Sequence, residues 1–180
     1  GEQDVEFDHS GEKVYISLPR SIGWYDTIDV RLDYNAKPRL GTFFFKPDDT
    51  YPDQPWQAWT QGEEEDNHHW VPLYDYPNER ATFECKITVD KNLKAISNGE
   101  LVSIKDNKDD TRTYHWRENF AMVSYLISFA IGDYVKVEDN YEDLPVAYWV
   151  YPENQNEAFR SFGKTPDMLD YFNKLTGISY

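Results

Sequence analysis

The sequence predicts a mainly β chain that ends in one or two helices. Apolar and polar side chains alternate over many short segments, which is the period of a strand with one buried face. Prolines and acidic turn residues separate these segments. Apolar residues at helical spacing follow Pro152. Aromatic side chains, 17% of the residues, supply the large apolar area that a core requires.

The first half contains three predicted strands and a long loop. Residues 14–18 form a short apolar strand, and residues 28–34 alternate as a half-buried strand would. Residues 42–45 form a third strand, which Lys46 and Pro47 end. Residues 48–77 contain four prolines and little periodicity, which predicts an ordered loop of a size that is usually functional.

The second half is predicted to consist mainly of strands. The clearest alternation covers residues 82–89 and places Cys85 on the core side, where we expect an unreactive thiol. Further strands are predicted at residues 93–97, 100–105, 111–116, 123–131, 134–138 and 146–151. Residues 106–110 have the composition of a hairpin turn. Residues 124–131 are nearly all apolar, as in a central strand covered on both faces.

The pattern becomes helical after Pro152. Residues 153–162 predict a short surface helix, and a second helix follows with Thr165 as its N-cap and Pro166 as its first residue. Its apolar residues fall at helical spacing up to Gly177, which ends it: Met168, Leu169, Phe172 and Leu175. Strands followed by helices are typical of either one α+β domain or a β domain joined to the start of another. We place the boundary near Pro152, with a β domain over residues 1–151 and the start of a second domain over 152–180.

Composition excludes several classes of function. The net charge of -15 argues against nucleic acid as a partner, because phosphates would be repelled. It allows cationic partners, such as the amino end of a peptide. No apolar run is long enough to span a membrane. The single cysteine allows no intrachain disulfide, so neither it nor the N-terminal residues indicate a compartment.

The residues predict no metal site in this chain. None of the four histidines stands in a His-Glu-x-x-His pattern, and the adjacent His68 and His69 would point to opposite faces of a strand. The acidic run at residues 63–66 lacks the spacing of a calcium loop, and a solvated face is the simpler interpretation.

The residues also contain no complete catalytic pattern. There is no nucleophile elbow and no glycine-rich phosphate loop. Glycosidases use a pair of carboxylates, but with 33 acidic residues in the chain the presence of such a pair indicates nothing. Aromatic residues crowd the first half. They are open to two interpretations, packing within the fold or an exposed platform that binds sugars: Trp24, Tyr25, Trp56, Trp59, Trp70, Tyr74 and Tyr76.

A series of short motifs resembles the zinc aminopeptidases of the aminopeptidase N family, gluzincin exopeptidases that also include leukotriene hydrolase. The similarity begins near Gly41 and is most specific at Thr60-Gln61-Gly62-Glu63. It continues, in the family's order, through Asp66, Pro72, Asp75-x-Pro77, Ala81-Thr82-Phe83, 95–99, 124–134 and 162–180.

The resemblance implies an incomplete, saddle-like, multi-stranded β domain followed by the first helices of a thermolysin-like catalytic domain. In that family, the glutamate matched by Glu63 helps to hold the substrate's free α-amino group in a partly dry pocket. The glutamine matched by Gln61 lines the pocket for the first side chain. Glu63 should accordingly face the surface where the catalytic domain docks. Gly62 stands where many relatives carry a larger residue, which would widen this pocket or loosen the loop.

The resemblance places catalysis outside this chain. The parent protein would use zinc to remove single residues from peptide N-termini, whereas the fragment should bind no zinc and be inactive. No catalytic residue is expected here, and the partners are a peptide N-terminus and the catalytic domain of the same protein. Two alternatives stay open: a sugar-binding β module and a structural interaction domain.

Overall fold

The computed structural model describes residues 3–180, which form eleven strands and two α-helices. The strands are β1 (Phe7–Ser10), β2 (Lys13–Ile16), β3 (Thr42–Phe45), β4 (Gln57–Thr60), β5 (Ala81–Asp90), β6 (Lys94–Ser97), β7 (Glu100–Asp106), β8 (Thr111–Met122), β9 (Phe129–Gly132), β10 (Val135–Tyr141) and β11 (Leu144–Val150). The helices are α1 (Ala158–Phe162) and α2 (Thr165–Thr176), and 3₁₀ helices cover Asn67–His69, Ser124–Leu126 and Pro152–Glu157. The prediction of a mainly β fold with C-terminal helices is confirmed. The chain divides after Tyr34 into two compact units.

The first unit contains one antiparallel hairpin, β1–β2. The strand predicted at residues 14–18 is present as β2, slightly displaced. The strand predicted at residues 28–34 is wrong, because the structure assigns no strand there. Its four apolar side chains are all at least 40% exposed. Alternation predicts which side chains share a face, but a strand also requires a neighbouring strand to accept and donate its hydrogen bonds.

A four-stranded antiparallel sheet has the order β3-β4-β9-β6. The structure confirms β3, whereas β4 lies within residues 48–77, so the predicted uninterrupted loop is wrong. The single strand predicted over 123–131 is also wrong: Ser124–Leu126 is a 3₁₀ helix, and only Phe129–Gly132 forms β9. This strand does lie between two others, but the side chains of Phe129, Ala130 and Ile131 are half-buried rather than covered on both faces.

A three-stranded antiparallel sheet, β5-β8-β7, packs against the four-stranded sheet. The predicted alternation of β5 is confirmed, and Cys85 packs on the cluster formed by Ala95, Tyr114 and Trp116. The Trp116 indole N–H donates to the carbonyl oxygen of Ala95 at 3.0 Å. This bond joins β8 to β6, so the core lies between the two sheets.

The β10–β11 hairpin carries the C-terminal helices. Buried Tyr148 and Val150 pack against Ala158 at the start of α1. The helix predicted at residues 153–162 is 3₁₀ over its first half and α-helical from Ala158. The N-cap prediction for Thr165 is wrong, because Thr165 is the first helical residue and its hydroxyl donates to the Phe162 carbonyl at 2.7 Å. Gly177 ends α2 in the left-handed conformation, as predicted.

Candidate functional site

Gln61 and Glu63 follow the C-terminal end of the central strand β4. The backbone N–H of Gln61 donates to the Gly41 carbonyl oxygen at 3.0 Å, which extends the β3–β4 pairing by one bond. On the other side of β4, the hydroxyl of Thr60 accepts the backbone N–H of Phe129 at 3.0 Å. Since β3 and β9 pair with β4 on its two sides, the backbone that leads into Gln61 is held in place.

Glu63 lies in a turn that exposes its side chain to solvent. The carbonyl oxygen of Gly62 accepts the backbone N–H of Asp66 at 2.8 Å, and the peptide bond between Glu63 and Glu64 is cis. Gln61 and Glu63 are both exposed. The described residues therefore form no dry pocket around the Glu63 carboxylate, and the pocket that the resemblance implies for the complete protein stays a prediction.

Gly62, between the two site residues, is buried. A β-carbon at this position would lie 2.5 Å from the carbonyl oxygen of Tyr125 and 2.6 Å from both polar atoms of the Asn67 side chain. Glycine therefore allows the loop to approach the 3₁₀ helix Ser124–Leu126 closely. The loosening expected from a glycine is wrong, because the backbone here is tightly packed.

Asn67 is the most deeply buried polar side chain near the site, with 0% exposure. Its Nδ2 donates to the carbonyl oxygens of Ser124 at 2.7 Å and Ile127 at 2.9 Å. Its Oδ1 accepts the indole N–H of Trp70 at 2.8 Å. A buried amide is stabilising only when its polar atoms are paired, and these three bonds meet that requirement.

Asp75 attaches the far end of the loop to the same 3₁₀ helix. Its carboxylate is buried and accepts the backbone N–H of His68 at 2.9 Å and the hydroxyl of Ser124 at 2.7 Å. An aspartate in a turn can accept backbone N–H groups in this way. Asn67 and Ser124 were missed, because the hydrogen bond between them joins residues 57 positions apart and leaves no local pattern.

His68 and His69 lie on a 3₁₀ helix rather than a strand, so the prediction that they point apart is wrong. Their ring centroids are 4.1 Å apart. His68 Nδ1 lies 3.3 Å from Asp75 Oδ2, and His69 Nε2 lies 3.7 Å from Asp66 Oδ1. Across residues 3–180, no three histidine, cysteine, aspartate or glutamate side chains are grouped as a metal site would require.

The aromatic side chains divide between the two interpretations. Trp59 stacks with Phe45, and Trp70 packs edge-on against Phe129, so these tryptophans belong to the packed structure. Trp24 and Tyr25 are 95% and 96% exposed. In the part of the chain described, no helix is both long and apolar enough to cross a bilayer.

The fold and the site together define a β domain that presents an acidic loop at the end of a central strand. Comparison with known proteins gives its family: the chain belongs to the peptidase M1 N-terminal domain family, whose model matches residues 2–126. The match begins well before Gly41, so the similarity covers more of the N-terminal part than the motifs indicate.

Similar proteins are aminopeptidases. "Probable aminopeptidase 1" of Saccharolobus solfataricus is 24% identical over 99% of the chain and 22% of its own length. Human "Glutamyl aminopeptidase" is 30% identical over 67% of the chain and 13% of its own length. "Aminopeptidase 2, mitochondrial" of Saccharomyces cerevisiae is 28% identical over 69% of the chain and 13% of its own length. The chain thus spans about a fifth or less of these relatives.

Proposed function

We propose that this chain is the N-terminal domain of a zinc-dependent aminopeptidase that removes single residues from peptide N-termini. Glu63 binds the α-ammonium group of the substrate, and Gln61 lines the pocket for its first side chain. The family match, which includes the loop bearing both residues, is the observation that carries this proposal. It is further supported by the position of both residues at the end of a central strand.

The chemistry of Glu63 suits an exopeptidase. A carboxylate forms a charge-assisted hydrogen bond with an ammonium group, and it is left unpaired when the substrate's N-terminus is blocked. No ion pair within residues 3–180 occupies the Glu63 carboxylate. It is exposed in this chain, so the surfaces that exclude water from it must come from the catalytic domain.

Residues 152–180 form the start of that catalytic domain in this proposal. Met168, Phe172 and Leu175 of α2 are 56%, 57% and 65% exposed, although they occupy the helix's apolar positions. An exposed row of large apolar side chains favours a surface that another domain covers. The zinc ligands and the general base belong to the same domain, because the side chains described here do not fit a zinc site.

Replacing Glu63 with glutamine in the complete protein tests the amine-binding role. Loss of a charge-assisted hydrogen bond, worth about 1.5–3 kcal/mol, should lower kcat/KM for aminoacyl amidomethylcoumarin substrates by roughly 10- to 150-fold. Glu65→Gln is the matched control, since it removes an exposed carboxylate from the same acidic run. Zinc content should stay unchanged in both variants. Equal effects of the two substitutions would refute the specific role of Glu63.

The isolated 180-residue chain should neither bind zinc tightly nor hydrolyse these substrates. The reason is that its histidines and carboxylates form no ligand cluster in the described structure. Metal analysis after dialysis and a direct activity assay provide the measurement. One equivalent of retained zinc together with turnover would contradict this expectation.

A second candidate function is sugar binding, which the near-complete exposure of Trp24 and Tyr25 favours. Titration of the chain against a panel of neutral oligosaccharides tests it. Binding that Trp24→Ala abolishes would support a sugar-binding module. The absence of binding to every oligosaccharide in the panel would refute it, and the aminopeptidase proposal would be the one that stands.

A further inference from the structure

We propose that Asn67 is the positioning residue of this site: its buried side chain holds the loop that carries Gln61 and Glu63 against the 3₁₀ helix Ser124–Leu126. This inference rests on the function proposed for Gln61 and Glu63. It assigns to Asn67 no contact with the substrate, only control over where the Glu63 carboxylate stands.

The Asn67 environment requires the chemistry of an amide. The side-chain nitrogen, Nδ2, donates hydrogen bonds to the carbonyl oxygens of Ser124 and Ile127, and the side-chain oxygen, Oδ1, accepts one from the indole N–H of Trp70. Aspartate would match the shape but would place one carboxylate oxygen against the carbonyl oxygens of Ser124 and Ile127. Alanine would leave all three partners unpaired in a site with 0% exposure.

The connection from Asn67 to the site passes through Gly62. The missing β-carbon of Gly62 would lie only 2.6 Å from the Asn67 amide, so the backbone between Gln61 and Glu63 rests directly on that side chain. If the amide moves, this backbone loses the surface on which it packs.

A second connection passes along the chain. The backbone N–H of Asp66, adjacent to Asn67, donates to the Gly62 carbonyl oxygen at 2.8 Å and closes the turn that contains Glu63. The Gln61 N–H is held by the Gly41 carbonyl oxygen at 3.0 Å. Glu63 thus lies between one point fixed by the sheet and one point fixed by Asn67.

Fixing the backbone matters because the Glu63 side chain is long and exposed. The described residues show no ion pair that orients its carboxylate, so the backbone of its turn sets the region it reaches. Misplacement of a binding group by about 1 Å can cost up to about a hundredfold in rate. We therefore expect Asn67 to affect substrate binding through Glu63.

A double-mutant cycle in the complete protein tests this expectation. Asn67→Ala should lower kcat/KM roughly tenfold, with the same division between KM and kcat as Glu63→Gln. In the Glu63→Gln background, the further loss should be less than about twofold, because a residue that acts through Glu63 has nothing left to position. Tyr148→Phe is the control for general destabilisation, since it removes a buried hydroxyl bonded to Asp139 in the β10–β11 hairpin.

Limited digestion by a glutamate-specific endoprotease provides a readout that does not require activity. In the Asn67→Ala protein, cleavage after Glu63, Glu64 and Glu65 should increase at least about fivefold, as expected when local opening becomes easier by about 1 kcal/mol or more. Cleavage after Glu138, in the β10–β11 hairpin, should stay unchanged. If Asn67→Ala fails to fold, Trp70→Phe is the alternative. It removes one of the three hydrogen bonds of the Asn67 side-chain amide and should give the same changes at smaller amplitude.

The outcomes separate the two proposals. If Glu63→Gln has no effect but Asn67→Ala loosens the loop, the amine-binding function fails while the role of Asn67 in holding the loop stands. If Glu63→Gln has its effect and the Asn67→Ala effect is fully additive to it, the positioning role is refuted. Unchanged digestion after Glu63–Glu65 also refutes it.

Discussion

The bond between Trp116 and Ala95 should make a measurable contribution to the stability of the core. Trp116 is 8% exposed, packs on Ala95 and Tyr114, and links the three-stranded sheet to the four-stranded sheet. Trp116→Phe removes the donor, at a cost of about 1 kcal/mol. The smaller ring leaves a cavity that costs about 1–2 kcal/mol more. The free energy of unfolding should therefore fall by about 2–3 kcal/mol, which corresponds to a Tm decrease of about 4–12 °C.

Tyr114→Phe is the matched comparison for this prediction. It removes only the hydroxyl that donates to the Leu93 carbonyl oxygen at 3.1 Å and leaves the ring in place. Its Tm should fall by about 2–4 °C, the effect of one lost hydrogen bond. Circular dichroism should follow thermal unfolding of the purified chain, since replacing a tryptophan alters the fluorescence signal. A Trp116→Phe decrease no larger than that of Tyr114→Phe would refute the view that Trp116 packing joins the two sheets.

Two further predictions concern titratable groups in the three-stranded sheet. Hydrogen bonds from Arg112 and Lys91 lower the pKa of Asp106 from 3.8 to about 2. A carboxylate whose pKa is lowered by folding stabilises the fold at pH values above its unfolded-state pKa, and this stabilisation is lost as the pH falls through its folded-state pKa. The difference in unfolding free energy between the protein and Asp106→Asn should therefore be constant near neutral pH and shrink between about pH 4 and pH 2. Equal differences at pH 7 and pH 2 in denaturant titrations would contradict this. Burial raises the pKa of the Cys85 thiol, so iodoacetamide at pH 8 should alkylate it more slowly in the folded chain than in denaturant, and equal rates would contradict its core position.

Apart from residues 123–131, the strands predicted in the second half are present in the structure, because each has a local signal. In β5, alternating side chains encode which face is buried, and the structure confirms this at Cys85 and its neighbours. The same signal failed at residues 28–34, where alternation is present but the structure assigns no strand. Alternating side chains show that a segment could form a strand with one buried face, whereas strand pairing depends on segments elsewhere in the chain.

The position of the candidate loop was also only partly predictable. Motif similarity selected Gln61 and Glu63, and their roles stay predictions. The strand β4 that precedes them was hidden in a proline-rich segment, because it is only four residues long and its neighbours β3 and β9 stabilise it. Short segments carry too few side chains to show a period.

The sequence alone determined the β class, the C-terminal helices, the hairpin turn near residues 106–110 and the family, because these depend on patterns within a few residues or on ordered motifs. Only the tertiary structure decided that Gly62 is buried and that Asn67 and Asp75 attach the loop to Ser124 and its neighbours. Those hydrogen bonds join residues about fifty positions apart, and only the folded chain brings their donors and acceptors together.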